Sequence, residues 1–346
     1  MSLFKKFLNK IVHDGNSKGD STAVTIKSKP VYYGTVHPYP NFNASSDASV
    51  LKSAIETKGV DEDVITAVLV KRNNEQRQMI KAVFEASHGK KVENALKKAL
   101  RSHFEDVCLA LLMTRAQFDA HWLRKATQRM GTDEDVLVEI LATRSNQEIR
   151  EIKRVFKEEY KEDLEDVIKK ETNGDFTMAL LSMLKANKDE STVVDASQAK
   201  KDAEALFEAG ENMKGVNVST ITDILTTRNG PQLCKMFQQY STVSNNTLPK
   251  ALEKELRGDI ENCLLDIVKC AWNTPAFFAE KLHLAMKGAG TSEEKLTRVL
   301  VSRSEVDLKK ILDEYKAMYG ISLQEHLVKE TSGHYQKALL GLCGAQ

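Results

Sequence analysis

The chain has 346 residues, of which 41% are hydrophobic, and its 50 basic and 49 acidic residues leave a formal net charge of only +1. This balance gives no support to a general electrostatic attraction to nucleic acid or to an anionic surface. Five unpatterned cysteines indicate buried thiols of a cytosolic protein, although a Cys270–Cys343 disulfide stays open. No signal peptide or membrane-spanning segment is found, so any membrane role must be peripheral. Only six prolines, with abundant Ala, Leu, Lys and Glu, predict an all-α protein.

Residues 1–40 differ in character from the rest of the chain. The first twelve residues predict an amphipathic helix with a basic face and an apolar stripe formed by Leu3, Phe4, Phe7, Leu8, Ile11 and Val12. Three interpretations stay open: docking on the protein's own core, insertion into a partner's hydrophobic groove, or lying on a bilayer. Residues 13–39 show no periodicity and predict a linker whose hydroxyl groups are candidate phosphorylation sites.

From residue 41 onwards one pattern recurs four times: a helix end, a glycine loop and a new helix start. An arginine follows each key glycine by thirteen residues, and an aromatic residue follows the arginine by twelve. The glycines are Gly59, Gly131, Gly215 and Gly290, the arginines Arg72, Arg144, Arg228 and Arg303, and the aromatic residues Phe84, Phe156, Tyr240 and Tyr315. The arginines are 72, 84 and 75 residues apart, which predicts four modules of about five short helices each.

The four modules are predicted to span residues 41–113, 114–186, 187–272 and 273–346. A polar, charged connector from Lys185 to Lys201 accounts for the longest interval between the arginines. We expect this connector to join two halves of the protein.

The best-preserved loop lies in the fourth module, where Gly288 and Gly290 interrupt an apolar helical stretch. Thr291 and Glu294 match a capping box and predict that the next helix begins there. The preceding helix end leaves unpaired carbonyl groups, and the helix macrodipole makes that end partly negative. The loop is therefore a candidate site for a hard cation such as calcium, provided that a carboxylate is brought in from elsewhere.

In three modules an acidic residue follows the key glycine by forty residues. These acids are Glu171, Glu255 and Glu330. The same step from Gly59 reaches Ala99, so the first module should bind calcium more weakly, through Glu62 or Glu105. Calcium prefers about 6–8 oxygen ligands, more than one acid and a few carbonyl groups supply, so phosphoryl oxygens of phospholipid would complete the shell. We expect weak affinity for calcium alone, with lipid and calcium each raising the affinity for the other.

These residues resemble the annexin family over about residues 41–346, and the ending Leu342-Cys343-Gly344 resembles its lipocortin-type branch. The resemblance implies four repeats of about five helices forming a slightly curved disc, with calcium sites on the convex face and the N-terminal tail on the concave face. It also implies reversible binding of acidic phospholipid membranes, membrane aggregation and repair, phospholipase A2 inhibition and regulation of inflammation. A dimeric EF-hand protein is the implied partner of residues 1–12.

The same resemblance implies a non-enzymatic phosphoprotein that is monomeric in solution and binds no specific nucleic acid. Its implied location is the cytoplasm, peripheral on plasma and vesicle membranes. The nucleus, and secretion by a route without a signal peptide, are further implied locations.

Carried over position by position, the resemblance implies calcium ligands in every module. The fourth module offers Met286, Gly288 and Gly290 with Glu330, the second offers Thr127, Arg129 and Gly131 with Glu171, and the third offers Gly210, Met213 and Gly215 with Glu253, Glu255 and Leu256. The first offers two minor sites, Gly59 and Val60 with Glu62, and Lys97 and Leu100 with Glu105. Thr132, Glu134 and Glu293 match secondary positions. Arg129 stands where a loop glycine is expected, which leaves the second site in question.

The main alternative is a metal-independent helical scaffold of the HEAT or armadillo type. Repeats of that type usually run to about 40–47 residues, well below the intervals here, and do not need paired glycine loops and distant acids. An enzyme is the third class, but the chain has no phosphate-binding Gly-x-x-x-x-Gly-Lys, His-Glu-x-x-His or Gly-x-Ser-x-Gly motif. We therefore expect a binding protein.

Overall fold

A computed structural model describes residues 30–128, 130–212 and 214–344. The predicted tail helix, most of the linker, Arg129 and Met213 lie outside these ranges. Nineteen α-helices and no strand make up the described residues, so the prediction of an all-α fold is confirmed. No helix among them is long and apolar enough to cross a membrane.

The helices fall into four repeats of five. The first repeat contains α1 (Ala44–Glu56), α2 (Glu62–Val70), α3 (Asn74–His88), α4 (Val92–Ala99) and α5 (Ser102–Leu112). The second contains α6 (Arg115–Gln128), α7 (Glu134–Thr143), α8 (Asn146–Tyr160), α9 (Leu164–Glu171) and α10 (Gly174–Leu184). The third contains α11 (Ala196–Ala209), α12 (Val218–Thr227), α13 (Gly230–Val243), α14 (Leu248–Glu255) and the first part of α15 (Asp259–Ala285). The fourth contains the rest of α15, α16 (Glu293–Arg303), α17 (Leu308–Tyr319), α18 (Leu323–Glu330) and α19 (Gly333–Leu342).

Helix α15 serves two repeats because it is broken at Asn273, whose backbone is not helical (φ −157°, ψ 90°). The Asn273 side chain accepts a hydrogen bond from the amide of Ala276 at 3.0 Å, as a helix N-cap does. Pro275 follows within the first turn, where its missing N–H costs no helical hydrogen bond. The break therefore separates the last helix of the third repeat from the first helix of the fourth.

Each repeat is built around the aromatic residue of its third helix. Phe84, Phe156, Tyr240 and Tyr315 are all buried, with exposed fractions of 1% or less. These helices are amphipathic, so their apolar faces pack inward while their charged faces meet solvent. Burial of large aromatic side chains is a major source of stability in such small helical units.

The recurring arginines form ion pairs that are buried in the first, second and fourth repeats and partly exposed in the third. Each donates two hydrogen bonds to an aspartate of the first helix of its repeat in Arg72–Asp47, Arg144–Asp119 and Arg228–Asp202, at 2.7–3.1 Å. In the fourth repeat the equivalent position is Phe278, and the Arg303 guanidinium carbon lies 4.5 Å from that ring centroid. Arg303 pairs instead with Asp307, at 2.8 Å for both bonds. The recurring arginine is therefore structural in every repeat.

The described residues form two compact units. One spans Asp119–Phe277 and contains repeats two and three, while the other combines the residues up to Phe118 with those from Phe278 onwards. The connector lies inside the first unit, so the expectation that it joins two halves is wrong. Hydrogen bonds hold it there: Asp189 donates its amide to the Thr227 carbonyl at 2.8 Å, and Asn229 donates to the Asp189 carboxylate at 2.8 Å.

In the second unit an extended segment before α1 ties the first and fourth repeats together. The amide of Thr35 donates to the Ser304 carbonyl at 2.8 Å, and its hydroxyl donates to the Leu342 carbonyl at 2.5 Å. Further along, Tyr39 and Gln76 exchange two hydrogen bonds at 2.9 and 3.1 Å. The end of the predicted linker is thus an ordered part of the structure.

All five cysteines are free. Four are buried and Cys234 is half-buried, which confirms the prediction of buried thiols. Cys270 and Cys343 form no disulfide.

Candidate calcium-binding loops

The loop between the first two helices of the fourth repeat turns on two glycines. Gly288 (φ 98°) and Gly290 (φ 108°) adopt the left-handed conformation that glycine tolerates best. The space around both is open, so the backbone conformation, not crowding, requires glycine. The amide of Ser292 donates to the carbonyl of Ala285 at 2.8 Å and closes the loop. The result is a compact turn whose carbonyl groups lie beside a helix end.

The other three loops close in the same way. Their closing bonds run from Asp61 to Ala54 at 2.8 Å, from Asp133 to Ala126 at 2.9 Å and from Asn217 to Ala209 at 2.7 Å. The third loop is one residue longer than the rest. Its key glycine, like those of the first and second loops, has a positive φ: Gly59 90°, Gly131 94° and Gly215 93°. The repeated sequence pattern thus corresponds to a repeated backbone.

The capping box predicted for the fourth loop is wrong, and the reason concerns the site. Helix α16 has Ser292 as its N-cap, one residue after Thr291. The Thr291 hydroxyl instead donates to the Glu330 carboxylate at 3.2 Å and to the Glu330 carbonyl at 3.4 Å. The structure therefore brings together the loop and the acid that lies forty residues after its glycine.

Glu330 is the last residue of α18, where the helix macrodipole is negative. Its side chain is about one-third exposed, and its Oε1 lies 3.9 Å from Nε2 of His326. A carboxylate at a helix C-terminus is electrostatically unfavourable on its own, and a cation at the same place would compensate it.

Met286, a further predicted ligand of the fourth loop, is buried, and its amide donates a hydrogen bond to the His283 carbonyl at 3.0 Å.

The second repeat makes a similar contact. The Thr132 hydroxyl donates to the Glu171 carbonyl at 3.0 Å, although not to its carboxylate. Glu171 is again the last residue of its helix. The Thr127 hydroxyl donates a hydrogen bond to the Leu123 carbonyl within α6 at 2.9 Å. The Thr127 hydroxyl is therefore already engaged, which leaves its backbone carbonyl as the candidate ligand. Glu134 is the first residue of α7.

In the third repeat Val216 occupies the position of the threonine, so no hydroxyl links the loop to Glu255. Glu211, which the sequence pattern does not single out, fixes this longer loop. Tyr240 and Asn246 donate to its carboxylate at 2.7 and 2.5 Å, and Ser244 donates as well. Burial alone would raise the pKa of Glu211, but these hydrogen bonds outweigh it and lower the pKa. In the sequence, the extra residue of the third loop is the feature that could have indicated the role of Glu211.

The turn between the fourth and fifth helices, called the DE turn below, differs between repeats. In the first repeat Arg101 Nη1 donates to the carbonyl groups of Lys97 at 3.3 Å, Lys98 at 3.0 Å and Leu100 at 2.6 Å. In the third repeat Arg257 Nη1 donates to those of Glu253 at 2.6 Å, Lys254 at 3.3 Å and Leu256 at 2.5 Å. A guanidinium thus already occupies carbonyl groups that the sequence analysis assigned to calcium with Glu105 and Glu255.

The two acids next to the first and fourth loops face histidines of the same unit. Nε2 of His334 lies 3.8 Å from the Glu62 carboxylate, and Nε2 of His103 lies 3.8 Å from the Glu293 carboxylate. The DE turn of each repeat therefore lies beside the loop of the other.

The chemistry of these donors suits a hard cation. Within the ranges described, no cluster of three or more His, Cys, Asp or Glu side chains could hold a metal ion. The fourth loop offers backbone carbonyl groups and the single carboxylate of Glu330, which are oxygen ligands of the kind calcium prefers. The donor set fits calcium and leaves coordination positions open.

Comparison with known proteins gives one result throughout. The sequence model of the family described as "Annexin" matches residues 46–111, 118–183, 201–267 and 277–342. Annexin A1 of Cavia cutleri is 51% identical to this chain over 346 residues, which cover 100% of both sequences. The structure is similar to that of annexin III, with a TM-score of 0.89 and 43% identity over 91% of this chain and 98% of that one. The crystal structure of calcium-bound annexin (Sm)1 is also similar, with a TM-score of 0.81 and 30% identity over 90% and 93% of the two chains.

Proposed function

The chain belongs to the annexin family, and on that premise we propose that it binds calcium in the loops of its repeats and thereby attaches to acidic phospholipid membranes. The observation that carries the proposal is the contact between Thr291 and Glu330, which brings the loop of the fourth repeat to the acid that we propose as its calcium ligand. We rank this site first, because the second repeat makes the contact only through the Glu171 carbonyl and the third lacks the threonine.

In the fourth repeat the protein's own residues would hold the ion by their oxygens. The candidates are the carbonyl groups of Met286, Gly288 and Gly290 and the carboxylate of Glu330. Thr291 positions that carboxylate by its hydrogen bond, which reduces the conformational freedom lost on binding. When bound, calcium would supply charge that bridges these oxygens to phosphate oxygens of lipid. The incomplete protein shell supports coupled binding of ion and lipid, in which each raises the affinity for the other by the same factor.

Apolar side chains next to the loops support contact with a bilayer. Met130, at the tip of the second loop, is fully exposed, and Leu284 and Val328 near the fourth loop are more than half exposed. Exposed apolar side chains beside a headgroup-binding site can enter the boundary between headgroups and acyl chains. They would add a hydrophobic contribution to the electrostatic one.

The similarity to annexin A1 supports finer proposals. We propose that the protein aggregates and repairs membranes, and that it inhibits phospholipase A2 by covering the acidic lipid surface. A role in inflammation follows from that inhibition. We further propose that residues 1–12 bind a dimeric EF-hand protein and that the protein acts without catalysis as a cytoplasmic, membrane-peripheral monomer.

Co-sedimentation with phosphatidylserine vesicles tests the proposal. At physiological ionic strength we expect the protein to sediment with vesicles in calcium and to be released by EGTA, and to stay in the supernatant with phosphatidylcholine vesicles. A metal-independent scaffold would behave identically with and without calcium. Failure to sediment at millimolar calcium would contradict the proposed function.

A further inference from the structure

Arg101 holds a fixed place at the end of α4. Its Nη1 is shared between the carbonyl groups of Lys97, Lys98 and Leu100. Three unpaired carbonyl groups and the macrodipole make a helix C-terminus attractive to a cation. The guanidinium therefore supplies the positive charge that a bound metal ion would otherwise supply at this helix end.

Arg257 repeats this arrangement in the other compact unit. Its Nη1 is shared between the carbonyl groups of Glu253, Lys254 and Leu256. The equivalent positions in the second and fourth repeats are Asn173 and Ser332, which cannot supply a charge. Two independent occurrences of one geometry indicate a recurring arrangement rather than an accident of one side-chain rotamer.

The outer edge of the Arg101 guanidinium remains available. Arg101 is exposed, and in the described part of the chain its Nε and Nη2 donate no hydrogen bond to protein. Lys97 and Lys98 beside it are also exposed, and Ala99 replaces the acid that the other repeats carry here. Arginine presents a planar set of donors that matches phosphate oxygens in pairs. Because Nη1 is held by the backbone, that set is already oriented.

The Arg101 turn lies next to the best candidate calcium loop. His103, two residues after Arg101, lies 3.8 Å from Glu293, which is two residues after Thr291. Both turns belong to the same compact unit. A surface that engages the fourth loop would therefore meet Arg101 as well.

From this geometry we propose that Arg101, and Arg257 in the third repeat, bind phosphate groups in the absence of calcium. Each guanidinium is clamped by three carbonyl groups at a helix end and offers its free edge to the phosphate. The placement of Arg101 toward a membrane rests on the proposed function. Recognition of the phosphate group itself does not.

The experiment uses the full-length chain in EGTA at low ionic strength, with phosphatidylserine vesicles as one probe and soluble glycerophosphoserine as the other. Arg101→Asn and Arg257→Asn install the residue that the second repeat carries at Asn173. We expect Arg101→Asn to lower vesicle partitioning about fivefold, the contribution of one basic residue near an anionic surface. Arg257→Asn should lower it less, because the exposed acids Glu253 and Glu255 lie beside that arginine. Loss of vesicle binding alone assigns the site to lipid phosphate, and loss of glycerophosphoserine binding assigns it to free phosphate; either supports the proposal.

Two controls make the result specific. Arg154→Asn removes the same charge from a helix surface where Glu151 and Glu158 already pair with the guanidinium, and it should change partitioning less than twofold. Arg101→Lys keeps the charge but loses the clamped planar donor set, and it should recover only part of the binding.

Equal behaviour of Arg101→Asn and Arg154→Asn with both probes would overturn the proposal. So would full recovery by Arg101→Lys, because a fixed guanidinium would then be unnecessary. Calcium-dependent sedimentation, measured in parallel, is expected to survive in all these variants. Its absence from the wild type would contradict the proposed function without affecting the EGTA result.

Discussion

The DE turns of the first and fourth repeats occupy equivalent positions but differ in the cation that we propose for them. In the fourth repeat Glu330 ends the helix and Thr291 hydrogen-bonds to it from the neighbouring loop. In the first repeat Ala99 ends the helix, and Arg101 donates to its carbonyl groups. The comparison shows that the partly negative C-terminus of a helix is stabilised by any nearby positive charge. The side chains of the turn determine whether that charge is an arginine of the protein or a cation from solution.

The same division recurs among all four repeats. Thr132 and Thr291 accompany an uncharged residue in the DE turn, whereas Val60 and Val216 accompany an arginine. Each compact unit contains one repeat of each kind: repeats two and three in one unit, and repeats four and one in the other. Each unit therefore combines one candidate calcium turn with one turn that carries an arginine.

The largest effect should come from a feature that the first and fourth repeats share. Asp47→Ala leaves the buried Arg72 without its carboxylate partner, and Asp307→Ala does the same to Arg303. Removal of one member of a buried ion pair costs about 3–5 kcal/mol, so both variants should lose that much unfolding free energy in urea titrations. Lys52→Ala, which breaks an exposed pair with Glu56, should cost less than about 1 kcal/mol. A loss below that level in Asp47→Ala would show that the pairs are not the common support of the repeats.

The ranking of the two sites can be tested directly. Glu330→Gln keeps the size of the side chain but removes the carboxylate charge, and it should raise the calcium concentration for half-maximal vesicle binding about tenfold, or about 1.4 kcal/mol. Glu105→Gln should have little effect, because Arg101 already occupies the neighbouring carbonyl groups. Equal effects in sedimentation titrations would show that the two turns do not differ as described.

A third test gives the first repeat the residues that distinguish the fourth. The triple variant Val60→Thr, Ala99→Glu and Arg101→Ser supplies the hydroxyl and the acid and removes the guanidinium. We expect one more calcium ion per chain in calorimetric titrations with vesicles, and about a threefold lower calcium requirement, or about 0.7 kcal/mol. The double variant that retains Arg101 is the control and should gain less. No gain in either would mean that further residues define the site.

The smallest effect concerns the backbone of the two turns. Gly174, Gly258 and Gly333 adopt positive φ at one equivalent position, but the first repeat has Ser102 there with φ 60°. Ser102→Gly should stabilise the protein by about 0.5 kcal/mol, because relief of left-handed strain exceeds the added entropy of the unfolded chain. Thermal unfolding would detect the change, with Ser46→Gly inside α1 expected to destabilise. A destabilised Ser102→Gly would show that the serine is not strained.

The sequence predicts those features that depend on local backbone or on fixed spacing. The loop glycines could be found because positive φ demands glycine, and the buried aromatic residues because they recur with the helical pattern. Features set by long side chains could not be found. The hydrogen bonds of Arg101 to three carbonyl groups depend on a side-chain conformation that residue spacing does not encode. The same holds for the pairing of Arg303 with Asp307, which occurs where Phe278 replaces the aspartate of the other repeats. Glu211 was missed because its partners lie in a different helix and turn.

The contact of Thr35 with Ser304 and Leu342 has a consequence for biosynthesis. The unit Asp119–Phe277 is one continuous stretch and can fold as soon as it leaves the ribosome. The other unit joins the first repeat to the fourth, so the first repeat must wait, with its partner surface uncovered, until the fourth repeat has been translated. We expect nascent chains that stop before the last repeat to be the species that chaperones retain.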